Sequence, residues 1–493
     1  MTRGPRKLLF VFAFFAAWIV LPLRVWASEE NAAKKVPIQH NGRVQPFDAF
    51  ARQTLKNICG AERWENQNAT PVLLEAINHR RTLGEKKWIR IDYFELKTAL
   101  GLSRERHFFS LEELDGSLEK ILSLVQSSKV KRDRDEKPSR LEQKAELLYG
   151  QIHTVQDLIS GESLSVYPAP GASKIKIETE ILYLNTKPFQ AAALAYFLSF
   201  FLLTVFPAGG GSAFGGKKQS TGRSLGILAA ILAFLFHTFG IACRVIVLSR
   251  PPVSNMYESM IFMNWALIVF AFIFSLIRKN ASALTVGALI SAVVMLYADL
   301  LPIDSGLEVL VPVLRSNYWL SVHVMTVVSS YGAFGLAMAL GHRHLFLQRF
   351  GKFSKKTETE SADLIYRVIQ LGVILIGTGT FLGGVWANES WGRFWGWDPK
   401  ETWALITFLG YLAVVHLVYT KKISHFGLAL FSVLGFLLVL MTWYGVNFVL
   451  GRGLHSYGAG TGGMIWVIYY LIFEAFFVTF ILLRKKTTQR AED

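Results

Sequence analysis

Long apolar runs fill the second half of the chain and set its predicted architecture. Between residues 189 and 483 the sequence repeats segments of about twenty residues that carry almost no charge. A helix of about 20 apolar residues spans the hydrocarbon of a bilayer, so this half is typical of a membrane protein. We predict an all-α polytopic membrane protein whose nine transmembrane helices lie near residues 189–207, 225–248, 257–277, 282–301, 318–340, 368–386, 402–419, 427–448 and 464–483.

Positive charge is distributed unequally among the gaps between these runs. Seventeen Lys and Arg residues lie in alternate gaps and the tail, at 208–224, 278–281, 341–367, 420–426 and 484–493. Five lie in the intervening gaps, namely Arg250, Arg315, Arg393, Lys400 and Arg452. Cytoplasmic loops carry the excess of Lys and Arg. The charge therefore predicts a cytoplasmic C-terminus in a bacterial-type cytoplasmic (inner) membrane, with the N-terminal region on the opposite side.

The N-terminus has the pattern of a targeting segment. Arg3, Arg6 and Lys7 precede an apolar stretch over 8–23, and Val25-Trp26-Ala27 then offers small residues where a signal peptidase reads them. A cleaved signal peptide is the favoured interpretation, and a retained first transmembrane helix is the alternative. Both place residue 28 outside the cytoplasm.

Residues 28–187 are the one stretch long enough for a water-soluble domain, which we predict to be extracytoplasmic and mainly helical. The charged run 129–140 can bury almost nothing, so it is expected to form a solvated loop or tip. The predicted organisation is a signal peptide or first helix at 1–27, this domain at 28–187, a first main transmembrane helix with its basic loop at 188–224, the principal transmembrane domain at 225–484 with a Trp-rich loop at 391–403, and a cytoplasmic tail at 485–493.

Composition narrows the function classes. The net charge of +16 could suggest nucleic acid, but the cations cluster in short gaps between apolar runs, which is a topological pattern, and we expect no nucleic-acid partner. Cys59 and Cys243 stand alone, without a C-x-x-C motif. A thiol–disulfide carrier and a disulfide framework are therefore not indicated.

The densest chemical signal is the segment WGRFWGWDPKETW, which we call the Trp loop (residues 391–403). An aromatic belt at the membrane interface is its ordinary explanation, but belts are spread over helix ends rather than packed into thirteen residues. Glycines among the rings let the backbone approach a flat surface closely. A broad aromatic shelf of this kind suits a large planar ligand such as a porphyrin.

Two histidines flank the Trp loop in sequence. His323 lies near the outer end of the predicted 318–340 helix, and His455 lies in the outer loop after the 427–448 helix. Imidazole is a common axial ligand of heme iron, and two from opposite faces would saturate it. Interfacial hydrogen bonding is the competing explanation for each histidine alone.

Other ionisable residues are predicted inside the membrane. His416 lies near the cytoplasmic end of its segment, His237 lies in mid-helix, and Glu474 has no obvious partner, so its role stays open. Such groups are costly in lipid and often functional, although a hydrogen bond between helices explains them equally well. His342, His344 and His425 lie among inner-loop cations, where a solvated surface position is expected.

At this point the sequence resembles a known family. The Trp loop resembles the WWD signature of heme-handling membrane proteins, while RPPVSNMYES (250–259) and GRGLHSYG (451–458) are similar to its CcsA (ResC) branch, which works in the system II pathway of cytochrome c maturation. The resemblance covers roughly residues 225–483. More weakly, HNGRVQPF (40–47) with EILY (180–183) is similar to the region preceding CcsA in some fused CcsB–CcsA proteins.

The resemblance implies a role for each candidate residue. His323 and His455 match two external histidines that ligate heme b at an outer site. His416 matches the transmembrane histidine of an inner heme site, whose second ligand comes from the CcsB (ResB) part in the family. No CcsB-like half is found here, so either a separate subunit supplies that ligand, which is favoured, or His237 does. The loop residues expected to cradle the outer heme are Trp391, Trp395, Trp397, Asp398 and Trp403.

The implied function is to bind heme, relay it across the membrane and present it for thioether attachment to C-x-x-C-H apocytochromes c. The chain would then be the heme-binding subunit of a holocytochrome c synthase, working with a CcsB/ResB-like partner and indirectly with a thiol-reducing system. Two alternatives remain: heme delivery to a chaperone, as in CcmC proteins, and a secondary transporter that uses Glu474 and the membrane histidines as a proton path.

Overall fold

The chain forms two compact units, with the boundary between Thr186 and Lys187. The computed structural model describes residues 29–40, 42–134, 136, 138–161, 167–206, 221–300, 306–307, 316–450 and 463–483. The signal or anchor segment predicted at 1–27 lies outside the described residues, and so does His455.

The N-terminal unit is mainly helical, as the sequence predicts. Its helices are α1 (Glu29–Lys34), α2 (Phe47–Cys59), α3 (Ala69–Asn78), α4 (Phe94–Leu100), α5 (Leu111–Asp115), α6 (Leu118–Asp133), α7 (Arg140–Ser160) and α8 (Lys174–Thr186). Its short strands are β1 (Pro37–His40), β2 (Arg43–Pro46), β3 (Arg63–Trp64), β4 (Gln67–Asn68), β5 (Ile89–Arg90), β6 (Phe108–Phe109) and β7 (Tyr167–Pro168).

Helix α7 supplies one wall of the core of this unit. Its buried residues Ala145, Leu148, Ile152 and Val155 recur at spacings of three and four, so they share one face of the helix. They join a single apolar cluster that includes Trp88, which is fully buried. The scattered apolar positions of the sequence thus define a real core despite the many charges between them.

The two sequence stretches that precede the membrane helices meet in the fold. Strands β1 and β2 form an antiparallel hairpin, with Gly42 in its turn at φ +73°, and β7 pairs with the other edge of β1. Arg43 on β2 donates to both carboxylate oxygens of Glu180 on α8, at 2.7 and 2.8 Å. This bidentate pair connects HNGRVQPF to EILY across the unit.

The charged run at 129–140 is more ordered than expected. Helix α6 continues to Asp133 and α7 begins at Arg140, so helices include residues 129–133 and Arg140 of this run. Glu142 is buried and accepts from Lys131 Nζ at 2.8 Å and from Ser127 Oγ at 2.6 Å, while Ser139 completes a capping box with it. The charges therefore close a helical hairpin by ion pairing, and the expectation of a loop was wrong for residues 129–133.

The second unit is a bundle of membrane helices. They are α9 (Pro188–Val205), α10 (Thr221–Leu248), α11 (Met256–Ile277), α12 (Ser282–Leu300), α13 (Asn317–Arg349), α14 (Lys355–Trp391), α15 (Pro399–Tyr419), α16 (His425–Leu450) and α17 (Met464–Leu483). Eight are long and apolar enough to cross a membrane, and α12 has a shorter apolar stretch, Ser282–Ala298. The prediction of an all-α multi-pass membrane protein is confirmed.

Helix α13 lies at the centre of this bundle, and small residues on it allow close packing. A Cβ atom added at Gly332 would lie 2.6 Å from the carbonyl oxygen of Met263 on α11, and one at Gly341 would lie 2.8 Å from that of Ala429 on α16. Small residues let transmembrane helices approach until dispersion contacts hold them together. Rigid packing of α13 fixes the position of His323 near its first turns.

Candidate functional site

A capping box fixes the Trp loop to the helix that follows it. Asp398 is buried at the N-terminus of α15, where its carboxylate accepts from the backbone N–H of Lys400 at 2.9 Å. Glu401 reaches back to accept from the backbone N–H groups of Gly396, at 2.8 Å, and Asp398, at 3.2 Å. Both carboxylates satisfy N–H groups that a helix start leaves unpaired. The acidic residues of the motif therefore give the loop its shape.

The tryptophans of the loop differ in exposure. Trp397 is 70% exposed and has a left-handed backbone, φ +58°, which is strained for an aromatic residue. Trp395 is half-buried and meets Trp397 edge to face, with ring centroids 5.8 Å apart. Trp391 and Trp403 are also half-buried. The capping box holds Trp397 outward in this strained conformation, where its ring is available to a ligand or a partner.

His323 lies in a π-helical turn, Leu320–Val324, within α13. Its Nδ1 is 2.8 Å from the backbone carbonyl oxygen of Gly379 on α14. A carbonyl oxygen only accepts, so Nδ1 carries the proton and Nε2 carries the lone pair. π-Helical turns are frequent at functional sites because they redirect a side chain. The fold thus sets both the orientation and the tautomer of this imidazole.

Glycines on α14 bring His323 and the Trp loop together. A Cβ at Gly383 would lie 2.6 Å from Cε1 of the His323 ring, and one at the adjacent Gly384 would lie 2.6 Å from Cζ of Phe394 in the loop. Neighbouring backbone positions therefore contact the imidazole and the loop. The structure places His323 and the Trp loop at the same end of the bundle.

Two tryptophans outside the loop complete this end of the bundle. Trp386 lies with its ring centroid 5.6 Å from that of His323, and it stacks on Trp319 at 6.5 Å with an interplanar angle of 14°. Trp319 Nε1 donates to Glu389 at 2.8 Å. Sequence reasoning missed this pair, although Trp319 precedes His323 by one helical turn and Trp386 precedes the loop on α14.

His416 and His237 have contrasting surroundings. His416 is exposed on α15, and its Nδ1 lies 2.9 Å from the carbonyl oxygen of Leu412 in the same helix. His237 is fully buried, with Nε2 at 3.1 Å from the carbonyl oxygen of Ile261 and Nδ1 at 3.4 Å from the hydroxyl of Tyr196. His237 therefore joins three helices through both ring nitrogens, whereas His416 faces outward from the bundle.

Glu474 has a partner that the sequence did not indicate. His342 Nε2 lies 3.1 Å from Glu474 Oε2, and Phe473 and Phe477 flank the imidazole. His344 is fully buried, with Nδ1 3.1 Å from Ser361 Oγ. The expected solvated positions of His342 and His344 were wrong, because α13 extends to Arg349 and carries both into the packed bundle, whereas His425 is exposed as expected.

The RPPVSNMYES stretch forms a buried ionic cluster. Glu258, at the first turn of α11, accepts from Arg244 at 2.9 Å and from Arg250 at 2.8 Å, and Ser254 contributes its hydroxyl at 2.6 Å. Arg244 also contacts the face of the Tyr257 ring at 5.2 Å. A carboxylate in this setting needs several donors to offset its desolvation. The motif therefore ties the ends of α10 and α11 together.

Comparisons with known proteins assign the chain to a family. Residues 253–455 match the family model described as cytochrome C assembly protein. A cytochrome c biogenesis protein CcsA from Guillardia theta is 35% identical over 270 residues, which cover 49% of this chain and 88% of that protein. A CcsA from Prochlorococcus marinus is 33% identical over 299 residues, covering 54% and 94% respectively.

A larger protein is also similar. Protein NrfI of Wolinella succinogenes is 36% identical over 299 residues, which cover 58% of this chain and 32% of NrfI, so this chain spans about a third of that relative. The segment that the family model matches, residues 253–455, includes α11 to α16, the Trp loop and His323. The chain therefore belongs to the CcsA family and acts in cytochrome c biogenesis as a multi-pass membrane protein.

Proposed function

We propose that this chain binds heme b beside the Trp loop and presents it for thioether attachment to C-x-x-C-H apocytochromes c. The observation that carries the proposal is the hydrogen bond from His323 Nδ1 to the Gly379 carbonyl. Histidines that ligate a metal donate their other ring N–H to a carbonyl or carboxylate, which fixes the ring and raises the basicity of the ligating nitrogen. His323 has this arrangement.

The aromatic surroundings fit a large planar cargo. Trp386 and Trp319 form a stacked pair beside the imidazole, while Phe394, Trp395 and Trp397 extend the apolar surface along the loop. His455 is the proposed second axial ligand, on the evidence of its motif. Two imidazoles would hold the iron until the histidine of the apocytochrome motif displaces one of them.

The chain contributes position rather than nucleophiles. Both of its cysteines, Cys59 and Cys243, are buried, and burial raises the pKa of the Cys59 thiol. Both thiols for the two heme vinyl groups must therefore come from the apocytochrome. Holding heme in a fixed orientation beside a bound peptide lowers the entropic cost of the reaction. The exposed Trp397 ring is proposed to contact such a peptide.

His416 is the proposed ligand of a second, inner heme. His416 is exposed on α15. Only 17% of the apolar stretch of that helix is buried in this chain, so the surface of α15 is open to a membrane partner. A CcsB/ResB-like subunit is the proposed source of the other ligand. His237 is less suited, because both of its ring nitrogens already bond to protein groups.

The charge distribution orients these sites. The loops rich in Lys and Arg are proposed to face the cytoplasm of a bacterial-type inner membrane, which places the Trp loop, His323 and the N-terminal unit on the extracytoplasmic side. Heme is then taken from the cytoplasmic side at His416 and used at His323. The relay follows the direction from heme synthesis to cytochrome assembly.

The deciding experiment co-expresses the chain with a CcsB/ResB-like protein and a C-x-x-C-H apocytochrome. We expect covalent holocytochrome from the native chain and none from His323→Ala or His455→Ala, with heme per purified chain measured from the pyridine hemochrome spectrum. Exogenous imidazole should partly restore heme to either single variant, because it occupies the vacant axial position.

The control is His425→Ala, which removes an exposed histidine at the opposite end of the bundle. Full heme occupancy and maturation in the His323→Ala/His455→Ala double variant would refute the proposed site. Heme transfer to a soluble chaperone without covalent attachment would favour a CcmC-like function. A purified native chain with no heme absorption at all would favour the transporter.

A further inference from the structure

A long cavity lies among the membrane helices, separate from the Trp loop and His323. Its volume is about 1600 Å³, above the roughly 300–1,000 Å³ of ordinary small-molecule pockets. Helices α9 to α14, α16 and α17 all contribute to its walls. It therefore lies among the helices of this chain.

The cavity is elongated along the helices. On α12 its wall runs from Ser282 to Tyr297, sixteen residues, and fifteen steps of about 1.5 Å give about 22 Å. Along α17 it runs from Gly463 to Phe477, or about 21 Å. The hydrocarbon of a bilayer is about 30 Å thick. The cavity thus extends along most of one membrane thickness, in the direction that acyl chains take.

Its walls are overwhelmingly apolar. Side chains such as Leu267, Val286, Leu289, Val294 and Met338 line its length. A water molecule needs two to four polar partners to remain in a cavity, and these apolar side chains offer none. A void of this size without contents would forfeit the dispersion contacts of every lining atom. Hydrocarbon is therefore the filling that these walls favour.

The charged side chains of the lining are concentrated towards one end. The charged lining residues are Arg223, His342, Arg343, Lys352 and Glu474. His342 and Glu474 pair with each other, and the other three charged residues are all basic. All three belong to segments on the side of the bundle that carries the basic loops. The other end is lined by the amphipathic rings of Tyr297, Trp443 and Trp466.

We propose that this cavity binds one anionic phospholipid, with its phosphate at Arg343 and Lys352 and its acyl chains along the apolar walls. Basic pockets between transmembrane helices on the cytoplasmic side recognise acidic headgroups through the same combination of charge and depth. The bound lipid fills the space between α17 and the rest of the bundle. The lipid thereby supports α17, since only 11% of the apolar stretch of that helix is buried by protein.

The test compares lipid affinities by native mass spectrometry of the full chain in mild detergent. The probes are palmitoyl-oleoyl phosphatidylglycerol and phosphatidylcholine, which share acyl chains and differ in net charge. We expect one phosphatidylglycerol to bind per chain and to resist displacement by phosphatidylcholine. Arg343→Ala/Lys352→Ala should weaken its binding by about fivefold for each cation removed, from the usual contribution of a basic residue near an anionic surface.

The matched control is Lys421→Ala/Lys422→Ala, which removes two charges from a loop on the same side that does not line the cavity. This variant should bind phosphatidylglycerol as the native chain does. A second variant, Leu289→Trp/Val294→Trp, narrows the cavity without changing its charge and should lose the lipid while retaining its helical circular dichroism.

Three results would overturn the proposal. Equal affinity for the two lipids, or equal loss in the charge variant and its control, would remove the headgroup site. Undiminished lipid in the Trp variant would place the lipid on the outer surface of the bundle. Loss of the lipid when a CcsB-like subunit binds would assign the cavity to a helix of that partner.

Discussion

Both units of this chain satisfy their buried carboxylates with several donors, but the membrane unit also holds a half-buried histidine of a different kind. In the N-terminal unit, buried carboxylates such as Glu142 and Glu180 each accept several hydrogen bonds from cations or hydroxyls of the same unit. In the membrane unit, Glu258 is satisfied in this way, whereas His323 uses one nitrogen to set its orientation among aromatic rings.

The hydrogen-bond partners of a polar side chain distinguish structural groups from candidate functional ones. His237 and His323 both lie in apolar helices, and sequence alone does not distinguish their roles. Both nitrogens of His237 bond to protein groups in a fully buried position, which offsets the cost of placing it in the membrane. The Nδ1 of His323 instead bonds to the Gly379 carbonyl oxygen, and its ring is half-buried beside glycine and tryptophan.

The largest predicted effect tests this contrast between the two histidines. His323→Ala should abolish cytochrome c maturation, because it removes the proposed iron ligand. His237→Gln should leave heme per folded chain unchanged, while lowering thermal stability by roughly 1–3 kcal/mol through weakened buried hydrogen bonds. Heme spectra and thermal denaturation of both variants measure the two quantities. Loss of heme in His237→Gln at normal stability would contradict the contrast and favour His237 as a ligand.

The second prediction extends the comparison to His416, the exposed membrane histidine. The proposed sites lie near opposite ends of helices that cross about 30 Å of hydrocarbon, so one heme cannot reach both. If heme enters at His416, then His416→Ala should deplete the heme at His323 as well. His455→Ala should leave the inner heme in place.

Heme per chain in each variant, expressed with the CcsB-like partner, separates these outcomes. His425→Ala serves as the control for removal of an exposed histidine near the same membrane face. Normal heme at the His323 site in His416→Ala would exclude the relay while leaving the His323 site intact.

The third prediction concerns the aromatic surface. Trp397→Ala should weaken heme retention by about 1–3 kcal/mol without loss of folded protein, because the ring is 70% exposed and its loss costs the fold little. Trp386→Ala removes a buried ring that packs beside His323, so it should lower both heme retention and thermal stability. Trp386→Phe is the control that keeps most of the packing. Equal loss of folded protein in Trp397→Ala would indicate an interfacial anchor instead.

The sequence predicted the membrane helices better than the contacts among them. Each of the nine apolar runs is a helix, because about twenty apolar residues span the bilayer whichever helices they pack against. Helix α14 is much longer than its predicted span of 368–386, since its polar first turns from Lys355 are stabilised by a cap and by neighbouring helices rather than by lipid.

The candidate site could be predicted only in part. Trp density and the two flanking histidines indicated a planar ligand, but Trp319, Trp386 and the Gly379 carbonyl contribute through contacts between α13 and α14 that no local pattern encodes. The His342–Glu474 pair joins residues 132 positions apart, so no local pattern in the sequence predicted it either.

The smallest predicted effect tests the other side of the comparison, the satisfied carboxylate Glu142. Hydrogen bonds from Lys131, Ser127 and the Ser139 cap hold its pKa at about 2, below the ordinary value of 4.5. The ionised form is therefore favoured by folding, so its contribution to stability is complete above pH 4.5 and is lost as the pH falls towards 2. Glu142→Gln should destabilise the α6–α7 hairpin by about 1 kcal/mol at neutral pH, and this deficit should shrink across that window.

Hydrogen–deuterium exchange of peptides from α7 in the full chain measures this loss of stability. Glu146→Gln is the matched control, because Glu146 pairs with the exposed Arg132 and its loss should cost less. Heme content should not change in either variant, since this unit uses its buried charges to hold its own fold. A pH-independent deficit in Glu142→Gln would show instead that packing, and not the ionised carboxylate, stabilises the hairpin.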